Sequence, residues 1–242
     1  MDARRQQLLE IGKEVFASRA YEEVQIDEVA ERAGASTGLL YHYFPSKRDF
    51  YVAAQAAMAE ELRDATAPDP NLPPAERLRA SIDAYLDFVE DRSAGYISLH
   101  RRGVGDERVR AVVEESQARQ ADRIMGTIVG PGEPAAEILR VAVRGWLNFM
   151  VTGILDWLEN RSVERDRLRD LFIYVLIDAA SAAGRVDPSI QFAMPPPTSP
   201  SPDPAAPEAG QQSLRAQEVG AKSSARDVSI TKRTSGPAGA RT

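Results

Sequence analysis

The sequence predicts an all-α fold. Apolar residues recur at three- and four-residue spacing through most of residues 3–187, and no stretch alternates apolar with polar residues as a half-buried strand would. The interruptions between these periodic segments are short and rich in proline and glycine. With 242 residues, 43% of them hydrophobic, the chain is long enough for one large domain or two small ones. It contains no internal repeat.

Leu8, Ile11, Val15 and Phe16 share one stripe of a first helix over residues 3–19. Val29, Ala30 and Ala33 mark a second, short helix ending at Gly34, a residue suited to the left-handed position that follows a helix. Ser36 can cap a third helix over 36–43, with Leu40 and Phe44 four residues apart. Ser46 opens a fourth, which runs to about Ala65. Asp49 has the capping-box spacing there, although Glu or Gln is preferred at that place.

The proline-rich stretch 65–76 breaks the pattern, and Leu78, Ile82, Tyr85, Leu86 and Val89 restart it. A second break falls at 103–106. Val109, Val112, Val113, Ser116, Gln120, Ile124 and Ile128 then trace one long amphipathic face. After a third break at 130–134 come two further helices, roughly 134–158 and 163–183. From 191 to 242 large apolar residues almost vanish. Such a segment cannot bury enough surface to offset ordering entropy, so it is expected to be disordered. It carries six Lys/Arg against four acidic residues, a net of +2.

Composition removes several classes of function. There is no cysteine, which excludes disulfides and Cys-based zinc sites. Only His42 and His100 are present, leaving little material for a His-rich metal site or a Ser-His-Asp hydrolase; no cofactor or metal is expected. The N-terminal MDARRQQLLEIGKEV has no continuous apolar core of a secretory signal. The most apolar stretch, 138–158, is interrupted by Arg140, Arg144, Asn148 and Asp156, too much charge and polarity for a membrane span. A cytoplasmic protein is expected, with no membrane partner. The net charge of −6 runs against nucleic-acid binding unless the positive groups are local and helix N-termini contribute.

Local chemistry of that kind sits at 34–47, GASTGLLYHYFPSK. Residues 25–44 read as helix, tight turn at Gly34-Ala35, helix, the spacing of a helix-turn-helix. The second helix would enter a major groove by its N-terminal end, offering Ser36, Thr37 and Gly38. These are small, two carry hydroxyls, and Thr37 adds a methyl that suits thymine. One turn on, Tyr41 and His42 share that face, and Tyr43 lies beside it with a hydroxyl that could reach a phosphate. Lys47 in the first turn of the next helix opposes the helix dipole, a conflict that a phosphate would resolve.

This ordered set, LLEIGKEVF…IDEVAERAGASTGLLYHYFPSKRDFYVAA, resembles the N-terminal domain of TetR-family transcriptional regulators over about residues 2–62. The resemblance implies a homodimer of about nine helices. Three form a DNA-binding head, and the rest form a ligand-binding and dimerisation body over 75–187. It implies that Ser36, Thr37, Gly38, Tyr41, His42, Tyr43 and Lys47 face double-stranded operator DNA. Three positions depart from the family pattern. Gln25 stands where Thr often caps the second helix, Ala20 replaces a common glycine, and Leu39 replaces a small hydroxylic residue.

The resemblance also implies a hollow between the fourth and eighth helices for a small effector. Apolar candidates for its lining are Met58, Leu62, Ile82, Tyr85, Phe88, Tyr96, Phe149 and Met150. Arg144 and Asn148, four residues apart in an apolar stretch, are polar candidates. The last two helices are the expected dimer seam, through Leu139, Val143, Trp146, Met150, Ile154 and Trp157 on one, and Leu168, Phe172, Val175, Leu176 and Ala179 on the other. The leading expectation is therefore a ligand-released repressor on a near-palindromic site. A protein-binding module on the same fold is the alternative that the acidic charge, Gln25 and Leu39 suggest. An enzyme built on His100 beside Arg101 and Arg102 lacks a visible acid, base and nucleophile constellation.

Overall fold

The structure, a computed structural model, describes residues 3–102, 106–129 and 136–190. The breaks expected at 103–106 and 130–134 fall largely outside these residues, and the tail from 191 onward falls wholly outside them. Nine α-helices and no strand occur among the described residues. They are α1 (Ala3–Ser18), α2 (Ile26–Arg32), α3 (Thr37–Tyr43), α4 (Lys47–Ala65), α5 (Pro74–Asp91), α6 (Ser93–Arg102), α7 (Glu107–Val129), α8 (Glu137–Asn160) and α9 (Arg165–Val186), with a 3-10 turn at Tyr21–Glu23. The last two helices start two to three residues later than their apolar pattern suggests, because residues 136 and 164 are extended and act as the flanking positions.

The helices bury two apolar clusters. The first gathers α1 to α4 around Leu8, Phe16, Leu40 and Phe50, all fully buried. Its aromatics pack closely: the Phe16 ring meets Tyr51 edge to face at 4.8 Å, and Phe44 lies tilted against Phe50 at 4.9 Å. The second cluster joins α5, α7, α8 and α9 around Leu86, Leu139, Ile154, Phe172 and Ile173. Trp146 on α8 donates its indole N–H to the Phe172 carbonyl at 2.8 Å, which satisfies a buried polar atom and pins α8 to α9.

Two close approaches bind the clusters to each other. Val109 of α7 is buried in the first cluster. Gly95 of α6 lies so near the end of α1 that a Cβ there would sit 2.2 Å from the Phe16 carbonyl oxygen; only glycine permits this contact. Position and motion of the first cluster are thus tied to α6 and α7.

α8 is long and apolar enough to cross a membrane by length and composition. In the fold, Leu139, Val143, Trp146, Leu147, Met150, Ile154, Trp157 and Leu158 turn it into a core helix. Of the residues expected at a dimer seam, Trp146, Met150, Ile154, Trp157, Leu168 and Phe172 are each at most 5% exposed within one chain, and Val175 is half-buried. The large apolar side chains that α8 and α9 leave open are Val141, Phe149, Leu171 and Val186, exposed by 66, 39, 47 and 70%.

Candidate nucleic-acid interface and ligand cavity

The turn between α2 and α3 is built by backbone geometry. Gly34 adopts φ +57°, the left-handed region that favours glycine. Its N–H donates to the Glu31 carbonyl and the Ala35 N–H to the Ala30 carbonyl, both at 2.9 Å, the paired bonds of a Schellman ending. Ser36 then caps α3, its hydroxyl accepting from the Leu39 N–H at 3.2 Å. Leu40 and Phe44 point inward at 0 and 2% exposure, which orients the opposite face of α3 to solvent.

That outer face carries Ser36, Gly38, Tyr41 and His42, all exposed, with Tyr43 and Thr37 half-buried beside them. The His42 and Tyr43 rings meet edge to face at 5.3 Å. Thr37 differs from the sequence expectation in one respect. Its hydroxyl already donates to Asp27 at 2.6 Å, so it offers an approaching base its methyl and an acceptor lone pair rather than a donor. Gln25 flanks α2 without any side-chain capping bond.

Ser46 caps α4 by accepting from the Asp49 N–H at 3.0 Å while donating to the Asp49 carboxylate at 2.6 Å, so Asp49 completes this cap as the spacing suggested. Lys47 follows in the first turn. Its ammonium lies 4.5 Å over the Tyr21 ring and forms no ion pair among the described residues. Burial lowers its pKa, partly offset by the charge of Glu22. A partly desolvated cation at a helix start, beside an exposed recognition face, is suited to a phosphate. Arg48, next along, is held on the protein: it forks onto Asp106, while Arg108 reaches Asp49 at 2.6 Å.

Two cavities lie among the described residues. The first, of about 110 Å³, lies among α1, α4, α5, α6, α7 and α8, and is lined by Met58, Leu62, Tyr85, Phe88, Tyr96 and Met150 with others. The second, of about 80 Å³, is lined by Leu78, Ile82, Ile124, Trp146 and Leu176 with others, and shares Tyr85, Gln120 and Met150 with the first. Seven of the eight apolar residues expected from sequence line one cavity or the other. Phe149 does not, nor do Arg144 and Asn148: all three are exposed on the outer face of α8. Each residue advances 100° around a helix, so 144, 148 and 149 face away from the side formed by 143, 146, 147, 150 and 154.

The first cavity is also lined by the charged Glu60, Arg63, Arg92 and Arg119 and by several neutral polar groups. Tyr85 and Tyr96 share a hydrogen bond between hydroxyls at 3.2 Å. The His100 ring lies tilted against Tyr96 at 4.5 Å, and burial pushes its pKa down to about 4, so it is uncharged at neutral pH. Gln55 is 5% exposed, and its Nε2 has no partner. The sequence carries a signal for Gln55: it is a lone amide on the stripe Tyr51, Ala54, Met58 and Leu62. No group of three or more metal-ligating side chains exists among the described residues.

Comparison with known proteins places these features in a family. A model described as "Bacterial regulatory proteins, tetR family" matches residues 8–54, and one described as "Tetracyclin repressor-like, C-terminal domain" matches 74–177. The chain is 31% identical over 169 residues to the HTH-type transcriptional activator FasR of Mycolicibacterium smegmatis, covering 68% of this chain and 77% of that protein. It is 26% identical over 163 residues to the HTH-type transcriptional repressor KstR of Rhodococcus jostii, covering 67% and 76%. A crystal structure of a tetR-family transcriptional regulator from Streptomyces coelicolor superposes with a TM-score of 0.70 at 29% identity, covering 78% of this chain and 86% of that one.

Proposed function

The chain belongs to the TetR family of bacterial regulatory proteins, a DNA-binding transcriptional regulator and not an enzyme, and from that premise we propose a ligand-released repressor. It binds a near-palindromic operator as a homodimer in the cytoplasm, and a small, largely hydrophobic effector releases it. Residues 2–62 form the DNA-binding head, with the helix-turn-helix at about 25–44. Residues 75–187 form the effector-binding and dimerisation body.

One observation carries the reading. α4 begins at Lys47 beside the recognition face, and its Met58 and Leu62 line the first cavity. A single helix therefore spans from the DNA side to the effector side. An effector that favours one tilt of α4 over another changes the spacing of two heads, provided its affinities for the two states differ. Two recognition helices in a dimer read half-sites about one DNA turn apart, or a multiple of it.

Fluorescence anisotropy with DNA from immediately upstream of the gene, at two salt concentrations and with scrambled competitor, tests this reading. Specific, salt-sensitive binding by a dimer is expected. Binding no tighter than to scrambled DNA, repeated across a genome-wide selection of fragments, would favour a protein-binding module on the same fold.

Activation is a second reading, favoured by the 31% identity to a relative named as an activator. In vitro transcription from the bound promoter separates the two: repression lowers transcript when protein is added, and activation raises it.

A further inference from the structure

The two cavities differ in how their charges are neutralised. Around the first, the charged lining residues are paired: Arg92 with Glu61 at 2.8 Å, and Arg63 and Arg119 with Glu60 at 2.7 and 2.9 Å. The second cavity is lined by Arg77 and Arg123, and neither forms an ion pair among the described residues. Both guanidiniums rest on neutral oxygens. Arg77 donates to the Pro70 and Leu72 carbonyls at 3.1 and 3.0 Å, and its Nε is buried without a partner. Arg123 donates to the Arg63 carbonyl, the Thr66 hydroxyl and the Gln120 amide oxygen at 2.7, 2.6 and 2.8 Å.

A guanidinium has five N–H donors, so each arginine retains donors beyond those bonds. Burial disfavours the charge on Arg123, reinforced by Arg63 and only partly offset by Asp64. The rest of the second cavity is largely apolar and continues past Tyr85 and Met150 into the first. Two unneutralised cations therefore line the second of two connected spaces, whereas the charges around the first are paired.

We infer that the effector is an anionic amphiphile whose headgroup, a carboxylate or a phosphate, pairs with Arg77 and Arg123. Its apolar body runs past Tyr85 and Met150 toward Met58 and Phe88. The inference rests on the effector-binding reading of this body and gives that effector its charge and its direction. Carboxylate and phosphate share the chemistry that a guanidinium recognises, two anionic oxygens set for a forked pair.

The test is a titration of the full-length chain with three ten-carbon ligands: decanoate, decyl phosphate and 1-decanol. Trp146 lines the second cavity, so its fluorescence reports occupancy. At least one anion is expected to bind about tenfold more tightly than the alcohol, and the tighter anion identifies the headgroup. Arg77→Gln is expected to remove most of that advantage while leaving decanol unchanged. Arg123→Gln serves as a second variant, checked by circular dichroism because Arg123 also holds the end of α4. Equal binding of anions and alcohol, binding of none of the three, or an anion preference that survives both variants would overturn the inference. Anion binding that leaves operator affinity untouched would sink the effector reading of the site instead and leave this assignment standing.

Discussion

The Arg48 guanidinium forks onto both carboxylate oxygens of Asp106, at 2.6 and 2.7 Å. Asp106 simultaneously accepts from the Arg108 and Val109 N–H groups at the start of α7, and Arg108 reaches back to Asp49 on α4. Two crossed ion pairs thus tie the N-terminal ends of α4 and α7. The contact keeps Arg48 occupied on the protein, while Lys47, one residue earlier, forms no ion pair among the described residues.

Asp106→Asn should release Arg48. The predicted result is a steeper salt dependence of DNA binding, by about one unit of slope, from one more phosphate contact per chain. The stability cost should be small, because the pair is solvent-exposed. Arg48 holds the Asp106 pKa down to about 2 from 3.8. A carboxylate with a depressed folded-state pKa contributes stability above its unfolded value and loses it as pH falls through the folded one. The difference between wild type and variant in denaturant midpoint should therefore fade between about pH 4 and 2.

Lys47→Ala should weaken binding to every DNA sequence alike and flatten the salt dependence by about one unit. Anisotropy on operator and scrambled duplexes, at several salt concentrations, measures both. A loss confined to the operator would mean that Lys47 reads bases rather than phosphate.

Gly34→Val forces a β-branched side chain into φ +57°. The cost of the left-handed region to an L-residue is about 1–2 kcal/mol, and the turn between α2 and α3 should distort with it. Thermal unfolding should shift down, and operator binding should fall further than stability alone explains. Gly34→Asn should be milder, since asparagine tolerates that region.

His100 is neutral in the fold because burial lowers its pKa to about 4 from 6.5. The unfolded chain takes up a proton more readily than the native one between those values. Stability is therefore full above pH 6.5 and lost as pH falls toward 4, by on the order of 3 kcal/mol at most. His100→Leu should remove that pH dependence, which denaturation curves at pH 7, 5.5 and 4.5 would record.

Val141 and Leu171 remain exposed on α8 and α9 after the chain has folded. Placing glutamate at both should cost little within the protomer but should desolvate charge in an isologous seam. Light scattering at micromolar concentration should then report one chain where the wild type gives two, with helicity unchanged. A dimer that survives both substitutions would move the seam off this face.

The head was legible in the sequence because its determinants are local. Gly34 needs only its own φ and the two carbonyls behind it. Ser36 and Ser46 need only the N–H three residues on, and Leu40 and Phe44 need only the period of one helix. The body was legible as helices and as apolar lining, but not as faces. α8 is apolar over so much of its circumference that periodicity cannot say which side meets α9. For that reason periodicity suggests Trp146, Ile154 and Trp157 for a seam and Arg144, Asn148 and Phe149 for a cavity, whereas within one chain the first three are buried and the last three are exposed. The Arg48–Asp106 fork and the unpaired Arg77 and Arg123 join or line elements some 45 to 60 positions apart in the chain. Charge compensation at that range depends on which helices pack together. Local spacing determined that there is a recognition helix; only the tertiary arrangement decided which cations are neutralised and which remain open to a ligand.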